Sequence, residues 1–271
     1  MGKNNILKKL SFVIGLILCS YPLVSGIVQQ QAQKGTVATY QQMIDNSSNS
    51  SIEESLSRAK EYNEILFESL TKLSSDKISI LSEENYNSIL NVGNGVMGSI
   101  EIPCINVNLP IYHGTSDEVL SVGVGHLNGS SLPIGGTNNK SILTAHRGLP
   151  SSKLFTRLDE LVEGDLFFIR VLDQTLAYKI NSIEVIEPED VSGLEIEAGK
   201  DLVSLITCTP YGINTHRLVV TGERTEYEVE TYKNIKSKNM SIRECVFLII
   251  PFIFIGIIVG RRVIIRVRKK Y

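Results

Sequence analysis

Hydrophobic and polar positions follow three different patterns along this chain, and each predicts a different kind of element. Both ends carry apolar runs without any alternation. Leu10 to Val28 (LSFVIGLILCSYPLVSGIV) holds no charge and follows Lys8 and Lys9; it is close to the roughly 20 residues that cross a bilayer as a helix. It predicts a transmembrane helix or signal anchor, with a cleaved signal peptide as the competing reading, given Ser25 and Gly26 near its end. Cys245 to Gly260 is shorter but continues past Arg261 and Arg262 into Val263, Ile264 and Ile265. Snorkelling arginines let such a segment span as well.

Between the ends, a helical pattern comes first. After the polar linker NSSNSSI (46–52), Ser51 and Glu54 match a capping box. Ile52, Leu56, Ala59, Leu66, Leu70 and Leu73 then recur at helical spacings, predicting an amphipathic helix to about Leu73. Ser74 to Ser82 reads as a break, and Glu83 to Leu90 as a short second helix. From Gly93 onward the pattern has period two, in β-branched segments cut by Gly, Pro and Asn: GSIEIPCINVNLPIY, KSILTAH, GDLFFIRVL, TLAYKINSIEVIE, DLVSLITC and HRLVVTGER. Short, turn-bounded strands of this kind predict an all-β barrel or sandwich of seven or eight strands. The one helix expected within it lies around Ser152 to Asp159. The resulting division is a basic N-terminus (1–9), a first span (10–28), a helical stalk (29–92) and a β domain (93–228). A juxtamembrane linker (229–244), a second span (245–265) and a basic tail (266–271) follow.

Charge sharpens this division. The formal net charge is only −2, but nine of the 27 basic residues flank the two apolar runs from outside, and all 29 acidic residues lie between Asp45 and Glu244. The positive-inside rule then puts both termini in the cytoplasm and the middle outside the cell membrane. An acidic folded portion also speaks against nucleic acid as a partner. With 42% hydrophobic residues the chain is too apolar for disorder, and four cysteines are too few for a disulfide scaffold.

Two cysteines fall in the outside portion, Cys104 and Cys208. An oxidising exterior pairs or removes stray thiols, so each needs a reason. Cys104, after Pro103 in a strand-like segment, reads as apolar filler; a Cys104–Cys208 disulfide is the alternative, and it would remove the nucleophile. Cys208 ends a buried strand, Leu202 to Thr207, before a turn-rich loop and a return strand from Arg217. Adjacent strands would bring the guanidinium beside the thiol, where it favours thiolate and can stabilise an oxyanion; a structural salt bridge is the plainer reading of Arg217. A cysteine nucleophile also needs a proton-transfer partner. Of His113, His126, His146 and His216, the last faces away if Arg217 faces the site. His146, at the edge of the strand Ile142–Ala145, is the favoured candidate.

At these residues the chain resembles the sortases, the cysteine transpeptidases of Gram-positive cell surfaces. Ser204–Leu205–Ile206–Thr207–Cys208 is similar to the family's TLxTC motif, with Ser for the first Thr; Leu143–Thr144–Ala145–His146 carries the family histidine and Arg217 the family arginine. GVMGSIEIP (95–103), LPIYHGTS (109–116), SSLPIGG (130–136), LTAHRGLP (143–150), KLFTRLDEL (153–161) and TCTPYGINTHRL (207–218) resemble class C, the pilus-assembling sortases. The resemblance implies a mainly β fold, a closed eight-stranded sortase-type barrel with N-terminal helices, here flanked by two transmembrane helices. It implies attack by Cys208 on the Thr–Gly carbonyl of an LPxTG-like sorting signal. Release of the thioester falls to a lysine amine of a pilin subunit or the amino group of a cell-wall precursor. His146 serves as acid and base, and Arg217 as oxyanion or substrate-backbone donor. Thr207 and Thr144 are supporting or substrate-binding neighbours. No cofactor and no metal is expected. Class C enzymes commonly carry an Asp-Pro-aromatic lid; here Asp76–Lys77–Ile78 stands in its place without proline or aromatic, which implies a looser lid or none. Cys104 stands where relatives commonly have lysine.

Overall fold

A computed structural model describes residues 3–71, 78–149, 152–238 and 242–268. The chain divides into two units, Gln29–Lys238 and the paired ends Met1–Val28 and Asn239–Tyr271. Helix α1 (Lys3–Asp45) runs from one into the other, and α6 (Ile242–Arg268) lies at the C-terminal end. Among the described residues, one helix is long and apolar enough to cross a membrane, over Leu10–Asp45. The expected second span is not supported: among the described residues the apolar stretch found in α6 is Phe252–Arg261, shorter than a membrane-crossing helix.

The helical stalk begins earlier than its apolar spacing suggests. Residues 29–45 continue α1, burying Gln33, Tyr40 and Ile44 on one face, although QQQAQKGTVATYQQ offers few apolar positions to betray it. Helix α2 (Asn49–Thr71) starts two residues ahead of the expected cap; Ser48 Oγ, not Ser51, accepts an amide, from Ser51 N at 3.3 Å. Ala59, Tyr62, Ile65 and Leu66 are buried, whereas Leu70 is exposed and Leu73 lies outside the described residues. A 3-10 turn (Ile78–Leu81) and α3 (Glu83–Ser88) follow, the latter capped by Ser82.

The β domain is a closed barrel. Its strands are β1 (Val96–Ile102), β2 (Val107–His113), β3 (Val124–His126), β4 (Asn139–Thr144), β5 (Leu166–Val171), β6 (Gln174–Ile186), β7 (Asp201–Thr209) and β8 (His216–Thr225). The order around it is β1-β2-β3-β4-β7-β8-β6-β5, so every strand edge is paired. Two neighbours are parallel, β2 with β3 and β4 with β7. Pro110 sits in β2 just before its pairing with β3 begins at Ile111↔Val124, where its missing N–H costs no ladder bond. A register shift between Ile180 and Ser182 bends the 13-residue β6 against β8. Inside, Ile100, Leu143, Phe167, Tyr178, Val203, Leu205 and Val220 are fully buried, and the Tyr178 hydroxyl is satisfied by Asp201 Oδ1 at 3.0 Å. Gly222 has no side chain because a Cβ there would meet the Phe167 ring at 2.5 Å.

Three short elements differ from expectation. Strand β3 has three residues, too few for any alternation to show. Helix α4 (Asp117–Val122) is capped by Ser116. The helix expected around Ser152 to Asp159 is instead a set of turns ending in a 3-10 turn, Leu158–Glu160; Leu154 adopts a φ of 36°, which no α-helix accommodates, while its side chain is buried. After β8, α5 (Val229–Asn234) lies near the barrel wall: Tyr232 Oη donates to Glu101 Oε1 at 2.6 Å and stacks edge-on against Phe168.

Candidate active site

Strand register brings the proposed nucleophile and guanidinium together. β7 and β8 are antiparallel, with Cys208 directly opposite Arg217 and Thr209 opposite His216. Directly opposed residues share a face of the sheet, a few ångströms apart, so Cys208 and Arg217 are on one face and His216 on the other. His216 turns to Glu187, with Nε2–Oε1 3.1 Å. Both Cys208 and Arg217 are half-buried. The Arg217 guanidinium is steadied by its own loop, Nη1 donating to His216 O at 3.2 Å and Asn214 O at 3.4 Å.

The histidine arrives from the other side of β7. β4 runs parallel to β7 and their last register pair is Thr144↔Ile206; two residues further on each strand stand His146 and Cys208. Ala145 N extends the ladder to Ile206 O at 3.2 Å, and Thr207 Oγ1 donates back to Ala145 O at 2.8 Å. Thr207 is thus buried and occupied in tying the two strands, whereas Thr144 is half-buried at the end of β4.

The other histidines are committed elsewhere. His126 is fully buried, with Nδ1 against Tyr86 Oη at 2.9 Å and Nε2 against Ser131 O at 2.8 Å. Burial lowers its pKa to about 4, so it stays neutral. His113 lies between two carbonyls, Ile89 O at 2.7 Å and Gly95 O at 3.1 Å. By contrast, among the described residues neither the His146 ring nor the Cys208 thiol is engaged in a hydrogen bond.

Cys104 and Cys208 are both free, which removes the disulfide alternative. Cys104 is buried, and burial first, with Asp165 adding to it, pushes its thiol up to about 11; it is filler, as its setting suggests. Of the lid residues, Asp76 and Lys77 lie outside the described residues, and Ile78 opens the 3-10 turn before α3. Among the described residues no group of His, Cys, Asp and Glu could hold a metal ion.

One neighbour was legible only as part of a longer string. Arg147 is buried, its Nη2 2.5 Å from Asp159 Oδ2 and its Nη1 donating to Thr209 Oγ1 at 2.9 Å and Cys208 O at 3.4 Å. Its adjacency to His146 is the one sequence signal; an ion pair twelve residues away leaves none.

Comparison with known proteins agrees with this geometry. The sortase domain model matches residues 100–225. The structure of sortase C1 from Streptococcus agalactiae is 43% identical, covering 71% of this chain and 99% of that one, with a TM-score of 0.65. A Clostridium perfringens sortase C, solved with the C-terminal cell wall sorting motif, is likewise 43% identical over 71% and 99% of the two chains, with a TM-score of 0.63. Sortase C of Streptococcus pneumoniae, whose structure addresses catalysis and pilin substrate specificity, is 38% identical over 71% and 97%, again at 0.63. Against two curated sortases, 29% and 32% identical, the chain spans 62% and 63% of their own length. A barrel whose strand register sets cysteine against arginine with a histidine alongside, matched by sortase C structures over 97–99% of their own length, places this chain in the sortase family of cysteine transpeptidases.

Proposed function

We propose that this chain is a membrane-anchored transpeptidase that cleaves an LPxTG-like sorting signal between Thr and Gly and joins the pilin so released to a lysine amine of another pilin subunit. The observation that carries the reading is the Cys208↔Arg217 register pair with His146 at the matching height of the adjoining parallel strand.

The chemistry follows from that arrangement. The Cys208 thiolate attacks the threonine carbonyl carbon, and the oxygen takes the negative charge. Arg217, charged at every working pH, stabilises it. As the C–N bond breaks, His146 gives its proton to the departing glycine amine, leaving a thioester on Cys208. The incoming lysine amine then attacks the thioester, His146 takes its proton, and the thiolate leaves. Thr207 contributes by fixing the spacing of β4 and β7, and Thr144 flanks the histidine. Residues 76–78 take the place of a lid without the proline and aromatic that would stiffen one.

The helix over Leu10–Asp45 is the anchor, with Lys3, Lys8 and Lys9 on the cytoplasmic side and the barrel outside. Supplying the acyl-enzyme with a pilin-derived lysine peptide, a wall-precursor amine, or water alone tests the assignment. Pilus assembly predicts transfer that depends on the lysine peptide; equal turnover with wall amine or water would replace it with an anchoring or hydrolytic role.

A further inference from the structure

Behind the reacting groups lies a buried ion pair that the mechanism above does not use. Arg147 directly follows His146 in the chain. Its side chain is only 3% exposed. A guanidinium is costly to bury even when paired, and this one strands its Nε without a partner among the described residues, which costs about 1–3 kcal/mol more. A residue retained for stability alone would be better replaced by an apolar one. What the fork does reach is specific: Asp159 with one nitrogen, and with the other the carbonyl of Cys208 and the hydroxyl of Thr209.

The histidine turn has no regular secondary structure of its own beyond Thr144. It is held from outside by the segment 155–159. Phe155 N donates to His146 O at 3.2 Å, and Gly148 N donates to Thr156 Oγ1 at 3.2 Å. From the other side, Tyr211 of the β7–β8 loop packs so closely over Gly148 that a Cβ there would meet its ring at 2.9 Å; Gly148 also has a φ of 81°. Arg147 touches both the cradle, through Asp159, and the backbone of the nucleophile itself. Resting on the transpeptidase reading, we propose that Arg147, paired to Asp159, is a positioning residue that locks the His146 turn to the Cys208 end of β7 and so fixes the distance over which the proton moves. It acts through backbone and Thr209, not on substrate; Asp159 balances its charge, so its contribution is geometric.

The test uses the full chain with Arg147→Met, Arg147→Lys, Asp159→Asn and the Arg147→Met/Asp159→Asn double change, each checked for folding by circular dichroism. Transfer from an LPxTG-type peptide to a lysine peptide gives kcat and KM; iodoacetamide gives the pH profile of Cys208 alkylation. The expected result is a 10–100-fold fall in kcat for Arg147→Met with KM within threefold, and a smaller fall for Asp159→Asn. The double change should be no worse than Arg147→Met, because both remove one link. Lysine, a point charge that cannot span both partners, should rescue little. The limiting alkylation rate at high pH should stay at the wild-type level, since the thiol itself is untouched. Unchanged kcat in folded Arg147→Met overturns the proposal. So does a loss confined to thermal stability, with kcat per folded molecule intact in Arg147→Lys and Asp159→Asn. A wild type that forms no thioester at all would instead defeat the transpeptidase reading.

Discussion

Cys104 and Cys208 are two free thiols on one barrel, and they differ in burial and in the groups that stand beside them. Cys104 lies in the 3-10 turn between β1 and β2, is 4% exposed, and has its thiol pushed up to about 11. Cys208 ends β7 half-buried, faces a guanidinium across the ladder, and has a histidine beside it with an uncommitted ring. The same contrast separates the histidines. His126 and His113 have both ring nitrogens occupied by fixed partners; His146 does not. Reactivity here is a matter of which ionisable groups the fold leaves uncommitted beside one another.

The sharpest way to break this contrast is to exchange the cysteines' fates. Cys208→Ala should abolish transfer, while Cys104→Ala should leave kcat within about twofold of wild type, read by peptide transfer; the core is left with a small cavity costing roughly 1–2 kcal/mol. Next in size, His146→Ala and Arg217→Ala should each lower kcat by about 10²–10⁴-fold, the ordinary range for a lost acid–base or oxyanion group. His113→Ala, aimed at the structural end, should instead lower the melting midpoint and spare kcat. A lid rebuilt by Lys77→Pro with Ile78→Phe should slow thioester formation several-fold by fixing the backbone ahead of the site; an unchanged rate would mean that 76–78 do not cover it.

The buried histidine predicts a pH effect on stability rather than on catalysis. Its pKa is lowered from the ordinary 6.5 to about 4, so between those values the unfolded chain holds a proton that the native state excludes. Its contribution is complete above pH 6.5 and is lost as pH falls toward 4, by roughly 3 kcal/mol over the whole window. Melting curves at pH 7 and 4.5 should show this, and His126→Gln, though less stable at pH 7, should show a flatter dependence. The smallest effect belongs to Thr207→Val, which loses a buried hydrogen bond to Ala145 O and should cost about 1–2 kcal/mol in denaturant midpoints.

How much of this the sequence discloses depends on the range of the interaction. Six of the alternating segments correspond to β1/β2, β4, β5, β6, β7 and β8, because each has one face in the barrel and its period survives locally. β3 escapes notice because three residues carry no period, and the stalk half of α1 because glutamines and alanines form helix without an apolar stripe. The Ser152–Asp159 segment misleads: Leu154, Phe155 and Leu158 have helical spacing, yet all three are buried beneath turns. In the site, Cys208 and Arg217 are readable because a hairpin converts sequence separation into register. His146 is readable only as a strand end, and it takes the parallel pairing of β4 with β7 to bring it alongside. Arg147's partner Asp159 lies across a loop that no local pattern foretells.

The most direct test of the central claim is intact mass spectrometry of the protein after incubation with an LPxTG-type peptide, wild type beside Cys208→Ala. The account predicts an added mass equal to the acyl fragment through threonine, mapped to Cys208, absent in the alanine variant and released by hydroxylamine. An adduct that persists in Cys208→Ala, or none in a wild type whose Cys208 reacts with iodoacetamide, would contradict it.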